Sequence, residues 1–192
     1  MPAFPFVTIA VPCRDEEVSI ESCLHAAQSQ DWPADRLEIL VADGMSMDAT
    51  REILARLAAE DPRIGLLDNP ERAQAAGMNE CLRRARGDII VRMDSRADYP
   101  RDFVRKCVEV LQRTGADNVG GAARPKSRTF FQRCVAAAVA SPLSVGNRRY
   151  RRTEEGFVES VWPGAFRREV FERVGMFEPL LPRAAPHRLV SS

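Results

Sequence analysis

Gly87-Asp-Ile-Ile-Val-Arg-Met-Asp-Ser-Arg-Ala-Asp-Tyr-Pro100 is the stretch that decides the fold. Gly87 ends a helical run whose last turn is basic (Arg83, Arg84, Arg86), and Asp88 to Met93 is an apolar, β-branched run of strand length. The pattern predicts a buried strand that emerges at Asp94. Pro100 opens a helical pattern through Asp102-Phe-Val-Arg-Lys-Cys-Val, so Asp94 and Asp98 fall in a strand-to-helix loop. In open α/β sheets such loops form the ligand crevice. Two carboxylates four residues apart there suit a hard divalent cation held against a phosphate. They equally suit an Asx turn and a helix cap, and by themselves they favour that plainer reading.

Upstream, the same strand, loop and helix unit repeats. Phe6 to Val11 is a β-rich run stopped by Pro12, Cys13 to Glu17 is a polar loop, and Val18, Ile20, Cys23, Leu24 and Ala27 recur at helical spacing. Leu37 to Ala42 forms a second buried strand ending at Asp43-Gly44, with Ser46 or Asp48 to cap a helix that carries Ile53, Leu54 and Leu57. Arg63 to Leu67 is a third strand, ending in the turn signal Asp68-Asn69-Pro70, and a helix with Ala75, Ala76, Met78, Cys81 and Leu82 leads to the opening strand. Four β-then-α units in succession imply an α/β fold, a mostly parallel central sheet with helices on both faces.

Downstream the rhythm loosens. Gly115 to Gly121 reads as a short strand or turn, Pro125 to Gly146 as an Ala-rich helical piece, and residues 146–156 as a charged loop. Phe157 to Val161 alternates like a strand, Trp162-Pro163-Gly164-Ala165 reads as a turn, and Arg167 to Val174 as a short amphipathic helix ended by Gly175. The expected organisation is one domain over residues 1–180 and an irregular tail over 181–192.

Composition bounds the function. With 192 residues, 45% hydrophobic, the chain can bury one sizeable core. Lys plus Arg number 28 against 27 for Asp plus Glu, a net charge of +1 that gives no reason to expect nucleic acid as a partner. Cys13, Cys23, Cys81, Cys107 and Cys134 are scattered, without a CxxC pair, and read as reduced core thiols of a cytosolic domain. The N-terminal run lacks a basic flank and is broken by prolines, unlike a signal peptide. The longest uncharged run, Cys134 to Asn147, is short for a membrane span and contains Pro142.

Carboxylates recur where successive strands end: Asp15, Glu16 and Glu17, then Asp43, Asp68 and Asp94. In a parallel sheet those ends share one edge, so the acids converge on one crevice, with Arg14 and Arg72 beside them to meet phosphate. No G-x-G-x-x-G follows the first strand and no G-x-x-x-x-G-K-[ST] occurs, so a bound diphosphate would be met by a metal and arginines instead of a glycine cradle. The same absence argues against a hydride-transfer enzyme. Lys106 and Lys126, the two lysines, fall outside the strand ends, which argues against a receiver domain.

VTIAVPCRDEE, EILVADGMSMDAT, LLDNPERAQAAGMNECLRRARGDIIVRMD and GAFRREVFERVGMFEP, in that order, resemble family 2 glycosyltransferases of the GT-A fold, most of all the succinoglycan-type exopolysaccharide branch. The resemblance runs from about Phe6 to Pro179. It implies transfer of a hexose, with inversion, from a nucleoside diphosphate sugar, UDP-linked, to a glycan or lipid-linked acceptor in exopolysaccharide or cell-surface polysaccharide synthesis. The expected cofactor is Mn2+ or Mg2+, and the expected place is the cytoplasm, at the inner face of the membrane. By motif position Pro12 and Glu16 line the nucleotide pocket, Asp43 bonds the uracil ring, Arg72 lies near the base or diphosphate, and Asp94 is the first acid of the metal-binding D-x-D element. Gly164 and Ala165 lie near the sugar and acceptor.

Two departures from the family pattern stand out. Arg96 fills the third position of D-x-D, and an arginine is not a metal ligand. Either Asp98 substitutes for it, or Arg96 itself contacts the diphosphate, or Arg96 points to solvent and the site is weakened. The acidic pair that supplies the family's general base is also missing: Glu178 is followed by Pro-Leu-Leu-Pro-Arg-Ala-Ala-Pro-His, and His187 is the only late residue with base chemistry. These departures carry the expectation of a truncated or frame-shifted domain, with a non-catalytic nucleotide-binding remnant or partner-binding module as the alternative function.

Overall fold

The computed structural model describes residues 4–121, 156, 161 and 164–178. Strands β1 (Val7–Cys13), β2 (Leu37–Asp43), β3 (Ile64–Asp68) and β4 (Ile89–Arg92) alternate with helices α1 (Ile20–Gln28), α2 (Thr50–Glu60), α3 (Gln74–Arg84) and α4 (Phe103–Thr114). Short strands β5 (Asn118–Gly120) and β6 (Gly164–Arg167) follow, then α5 (Arg168–Val174). The sheet order is β3-β2-β1-β4-β6-β5; the first four strands run parallel, and β6 is antiparallel to both β4 and β5. A mostly parallel, mixed α/β sheet is thus what the alternating pattern forms.

The unbroken apolar runs arise because the sheet is covered on both faces. Val7, Ile9, Val11 and Cys13 of β1 share a core with α1, α2 and α4 through Ile20, Leu24, Leu54, Leu57, Val104 and Leu111. Ala10 faces the opposite way, joining Leu40, Ala42 and Ile90 against Met78, Cys81 and Leu82 of α3 and Phe177. Gly115, at φ 68°, ends α4 in the left-handed conformation that glycine adopts without a Cβ penalty. Cys13, Cys23, Cys81 and Cys107 are buried free thiols, and burial pushes the last three up to about 12, which keeps them from acting as nucleophiles.

Two local expectations are corrected. Pro12 does not stop β1, which continues to Cys13. Ala10 accepts from Met93 on the β4 side and Cys13 from Gly44 on the β2 side, so the alternation turns Pro12 toward β4, beyond the last paired position, Ala10. Its missing N–H therefore costs no ladder bond. Gly164 and Ala165 do not turn; they lie in β6, where Ala165 is fully buried between Val91 and Val119. Glycine is needed at 164 for close approach, since a Cβ there would lie 2.6 Å from Asn118 Oδ1. Of the two candidates at the start of α2, Asp48 meets the helix, its Oδ1 accepting from Thr50 N at 3.0 Å, while Ser46 turns its hydroxyl back to Asp43. The expected helical piece at 125–146, the Phe157 to Val161 strand as a unit, and the tail with His187 lie outside the described residues.

A buried acid ties three strands together on the side away from the crevice. Glu38 in β2 accepts from the Thr8 hydroxyl (2.6 Å) in β1, and from the Arg86 N–H (2.6 Å) and Nε (2.8 Å) just before β4. Burial works to raise its pKa, but the bonds from Thr8 and Arg86 outweigh it and hold the carboxyl below its ordinary value. A lowered folded-state pKa stabilises the fold above the ordinary carboxylate range and loses that contribution as pH falls through it. Glu38→Gln is expected to cost about 1–3 kcal/mol at neutral pH. In thermal melts the gap to the parent should narrow below pH 4.5; a gap independent of pH would show that charge is not what Glu38 contributes.

Candidate active site

The crevice forms where β1, β2, β3 and β4 end. After Cys13 the chain turns through Asp15 at φ 51°, a left-handed conformation uncommon for a non-glycine residue. Five hydrogen bonds then lace the β1–α1 loop to the β2–α2 loop: Asp15 N to Ser46 Oγ (2.8 Å), Glu16 N to Thr50 Oγ1 (2.8 Å), Glu17 N to Asp48 Oδ2 (3.1 Å), and, in return, Met47 N to Asp15 Oδ1 (2.9 Å) and Ala49 N to Glu17 Oε2 (3.0 Å). The polar residues that mark both loops in the sequence thus hold one rim.

Asp43, at the end of β2, is buried and accepts from Ser46 N (3.1 Å), Ser46 Oγ and Arg51 Nη1 (3.0 Å). Arg51 also reaches Asp68 Oδ1 at 2.9 Å, joining the ends of β2 and β3. Asp43, Arg51, Leu54, Ala55, Leu66, Leu67 and Asp68 line a cleft of about 340 Å³. Arg51 was not legible as a site residue; its one signal is its place on the first turn of α2, eight residues after Asp43.

Arg72 lies exposed on the β3–α3 loop at φ 58°, in a turn closed by its N–H to Asn69 O (3.0 Å) and by Asn69 Nδ2 to Ala73 O (2.9 Å). Asn69 N donates to Asp43 O at 2.8 Å, so this turn is fastened to the end of β2. Pro12 is buried beneath it, against the backbone of Gly77.

Asp94 stands just past β4. Its Oδ1 accepts from Arg92 Nε (3.0 Å) and from Gln74 Nε2 at the long distance of 3.5 Å, and its N–H donates to the Tyr99 hydroxyl at 2.6 Å. Arg92 is only 4% exposed, a buried guanidinium that the apolar strand pattern concealed. Arg96, two residues on, donates through Nε to both oxygens of Glu16 at 2.8 and 2.9 Å, and Ser19 Oγ also donates to Glu16 at 2.7 Å. The structure therefore joins Glu16 to Asp94's loop through Arg96. Asp98 is exposed further along the loop, Gly164 and Ala165 lie inside the sheet beside β4, and Glu178 is exposed after α5.

Among the described residues no group of three or more His, Cys, Asp or Glu side chains is arranged to hold a metal ion alone. The hard carboxylates of the β4–α4 loop are Asp94 and, further along, Asp98. These suffice for a magnesium-like cation whose other ligands are substrate phosphates and water. Among the described residues no helix is long and apolar enough to cross a membrane.

Residues 8–175 match the family described as Glycosyl transferase family 2. The chain belongs to this family. The family 2 domain is 35% identical over 173 residues to the succinoglycan biosynthesis protein ExoA of Rhizobium meliloti (strain 1021), covering 88% of this chain and 52% of that protein. It is similar to the mannosyltransferase PcManGT of Pyrobaculum calidifontis, solved in complex with GDP-Man and Mn2+, at 30% identity and TM-score 0.69, covering 94% of this chain and 49% of that one. S. aureus TarS 1–349, solved with UDP, shares the fold at TM-score 0.70 and 15% identity, covering 93% of this chain and 52% of that one. The chain spans about half the length of the curated relatives it matches.

Proposed function

We propose that this family 2 domain binds a nucleoside diphosphate sugar, UDP-linked, at the β1–β4 edge. It transfers the hexose with inversion to a glycan or lipid-linked acceptor in exopolysaccharide or cell-surface polysaccharide synthesis, at the cytoplasmic face of the membrane. The observation that carries this is the meeting of Glu16, Asp43 and Asp94 on one sheet edge in a domain of this family, with Arg72 on the neighbouring loop. The complex of PcManGT with GDP-Man and Mn2+ supports a nucleotide donor.

In this reading Asp43 accepts the imide N–H of the base, in a carboxylate already oriented by Ser46 and Arg51. Arg72 faces the donor from the β3–α3 loop, and Pro12 forms the floor. Asp94 is the protein ligand for a divalent cation, manganese or magnesium, which supplies Lewis-acid stabilisation of the leaving diphosphate when bound. A second reading, a domain that holds the nucleotide without transferring sugar, is favoured by Arg96 at the third D-x-D position. Donor binding is common to both readings; transfer to a lipid-linked acceptor separates them.

Calorimetric titration with UDP and GDP, in manganese, tests the proposal on a chain shown to be folded by circular dichroism. UDP is expected to bind; binding of neither nucleotide would overturn the donor site, and binding of GDP alone would overturn the uridine assignment. Asp94→Ala is expected to bind UDP no more tightly with manganese than with a chelator. If the variant keeps the parent's response to manganese, Asp94 is not the metal ligand.

A further inference from the structure

At the end of β4 the two acids nearest Arg96 each meet a guanidinium. Asp94 is paired with Arg92 at 3.0 Å and Glu16 with Arg96 at 2.8 Å, so these two acids and two guanidiniums sum to zero. On the neighbouring loops Arg14 pairs with Asp15 at 3.5 Å, and Arg72 is exposed. With both acids neutralised, this end of β4 gives an anion an approach.

Arg96 is placed to use it. Only its Nε is engaged by Glu16, whose two oxygens lie within 2.9 Å. The side chain is 77% exposed, while that of Glu16 is 13% exposed, so the acid is the anchored partner and the guanidinium is the presented one. Glu16 is itself fixed by the Ser19 hydroxyl and by its backbone bond to Thr50. A guanidinium bound through Nε keeps two terminal amino groups in one plane, a fork that matches phosphate oxygens.

We propose that Arg96 is a resident cation for the donor's diphosphate. Fastened to Glu16 through Nε, it turns its terminal nitrogens to the phosphate oxygens, so that nucleoside diphosphate binding persists without a divalent cation. This rests on the donor site proposed above and assigns the residue at its third D-x-D position a role opposite in charge to a metal ligand. Arg96 contacts the donor and not the acceptor.

The test is UDP titration in manganese and in chelator, for the parent and for Arg96→Ala, Glu16→Gln and the double variant. Glu16→Gln is included because Arg96→Ala also leaves the Glu16 carboxylate uncompensated beside the phosphates. The parent is expected to bind UDP in chelator within about threefold of its affinity in manganese, and Arg96→Ala to lose about tenfold or more in chelator, the scale of a charged hydrogen bond. The double variant should bind about tenfold more weakly than Glu16→Gln alone. A parent that binds UDP only with manganese overturns the inference and leaves the donor site standing. Equal binding by Glu16→Gln and the double variant also overturns it, assigning the loss in Arg96→Ala to the exposed carboxylate. A folded parent that binds UDP under neither condition overturns the donor site and this inference with it.

Discussion

Asn79→Ala should lower stability by about 2–4 kcal/mol, more than any single change on the surface of the crevice. Asn79 is 4% exposed on α3, and its side chain holds both backbone groups of one distant residue: Nδ2 donates to Phe177 O at 2.8 Å and Oδ1 accepts from Phe177 N at 3.0 Å. Removing the amide breaks both hydrogen bonds to Phe177's buried backbone groups, each worth roughly 1–3 kcal/mol. Phe177 packs edge-on to Phe166 and tilted on Phe171, so the anchor also seats the aromatic cluster that covers β4 and β6. At this size 1 kcal/mol corresponds to roughly 2–4 °C, so the melting midpoint should fall by about 4–16 °C. Asn79→Asp, which retains an acceptor but loses the donor to Phe177 O, should also destabilise at neutral pH. A midpoint within 1–2 °C of the parent, within roughly 0.5 kcal/mol, would show that Phe177 finds other partners.

Little of that anchor is visible in the chain. Local rhythm made β1 to β4 and α1 to α4 legible, because strands covered on both faces read as continuous apolar runs and helices carry their own period. The convergence of Glu16, Asp43 and Asp94 followed from topology, since parallel strands end on one edge. What escaped was set by pairings far apart in sequence. Gly164-Ala165 has turn chemistry locally, yet two neighbours, β4 and β5, give it strand geometry. Arg92 stood inside an apolar run, and its burial is accompanied by an ion pair to Asp94 that no local pattern shows. Arg96 and Glu16 are eighty residues apart, and no local pattern announces their contact.

Asp43→Ala is expected to weaken UDP binding on the order of 100-fold, the upper range for loss of a charge-assisted hydrogen bond. Two effects act together. In the proposed donor site the imide N–H of the base loses its acceptor, and the carboxylate that orients Ser46 and Arg51 is gone. Ser46 Oγ is also the acceptor for Asp15 N, so the β1–α1 loop that carries Glu16 loosens as well. Asp43→Asn separates the effects: it preserves shape and one acceptor oxygen, and should bind UDP more weakly than the parent but more tightly than Asp43→Ala. Arg51→Ala removes the bridge to Asp68 and leaves Asp43 in place, so it should cost less than Asp43→Ala. Wild-type UDP affinity in Asp43→Ala would place the base elsewhere on the edge.

The placement of β6 has a consequence during synthesis. Ile89 to Val91 of β4 pair on one side with β1, already made, and on the other with Ala165 to Arg167, which the ribosome adds roughly seventy residues later. At about 5–20 residues per second that edge stays bare for several seconds in a nascent chain whose first four strands are complete. An open row of backbone donors and acceptors beside Ile89, Ile90 and Val91 is a template for pairing with a neighbouring chain. Yield in the cell should therefore depend on translation speed between codons 92 and 164 as well as on the stability of the finished fold.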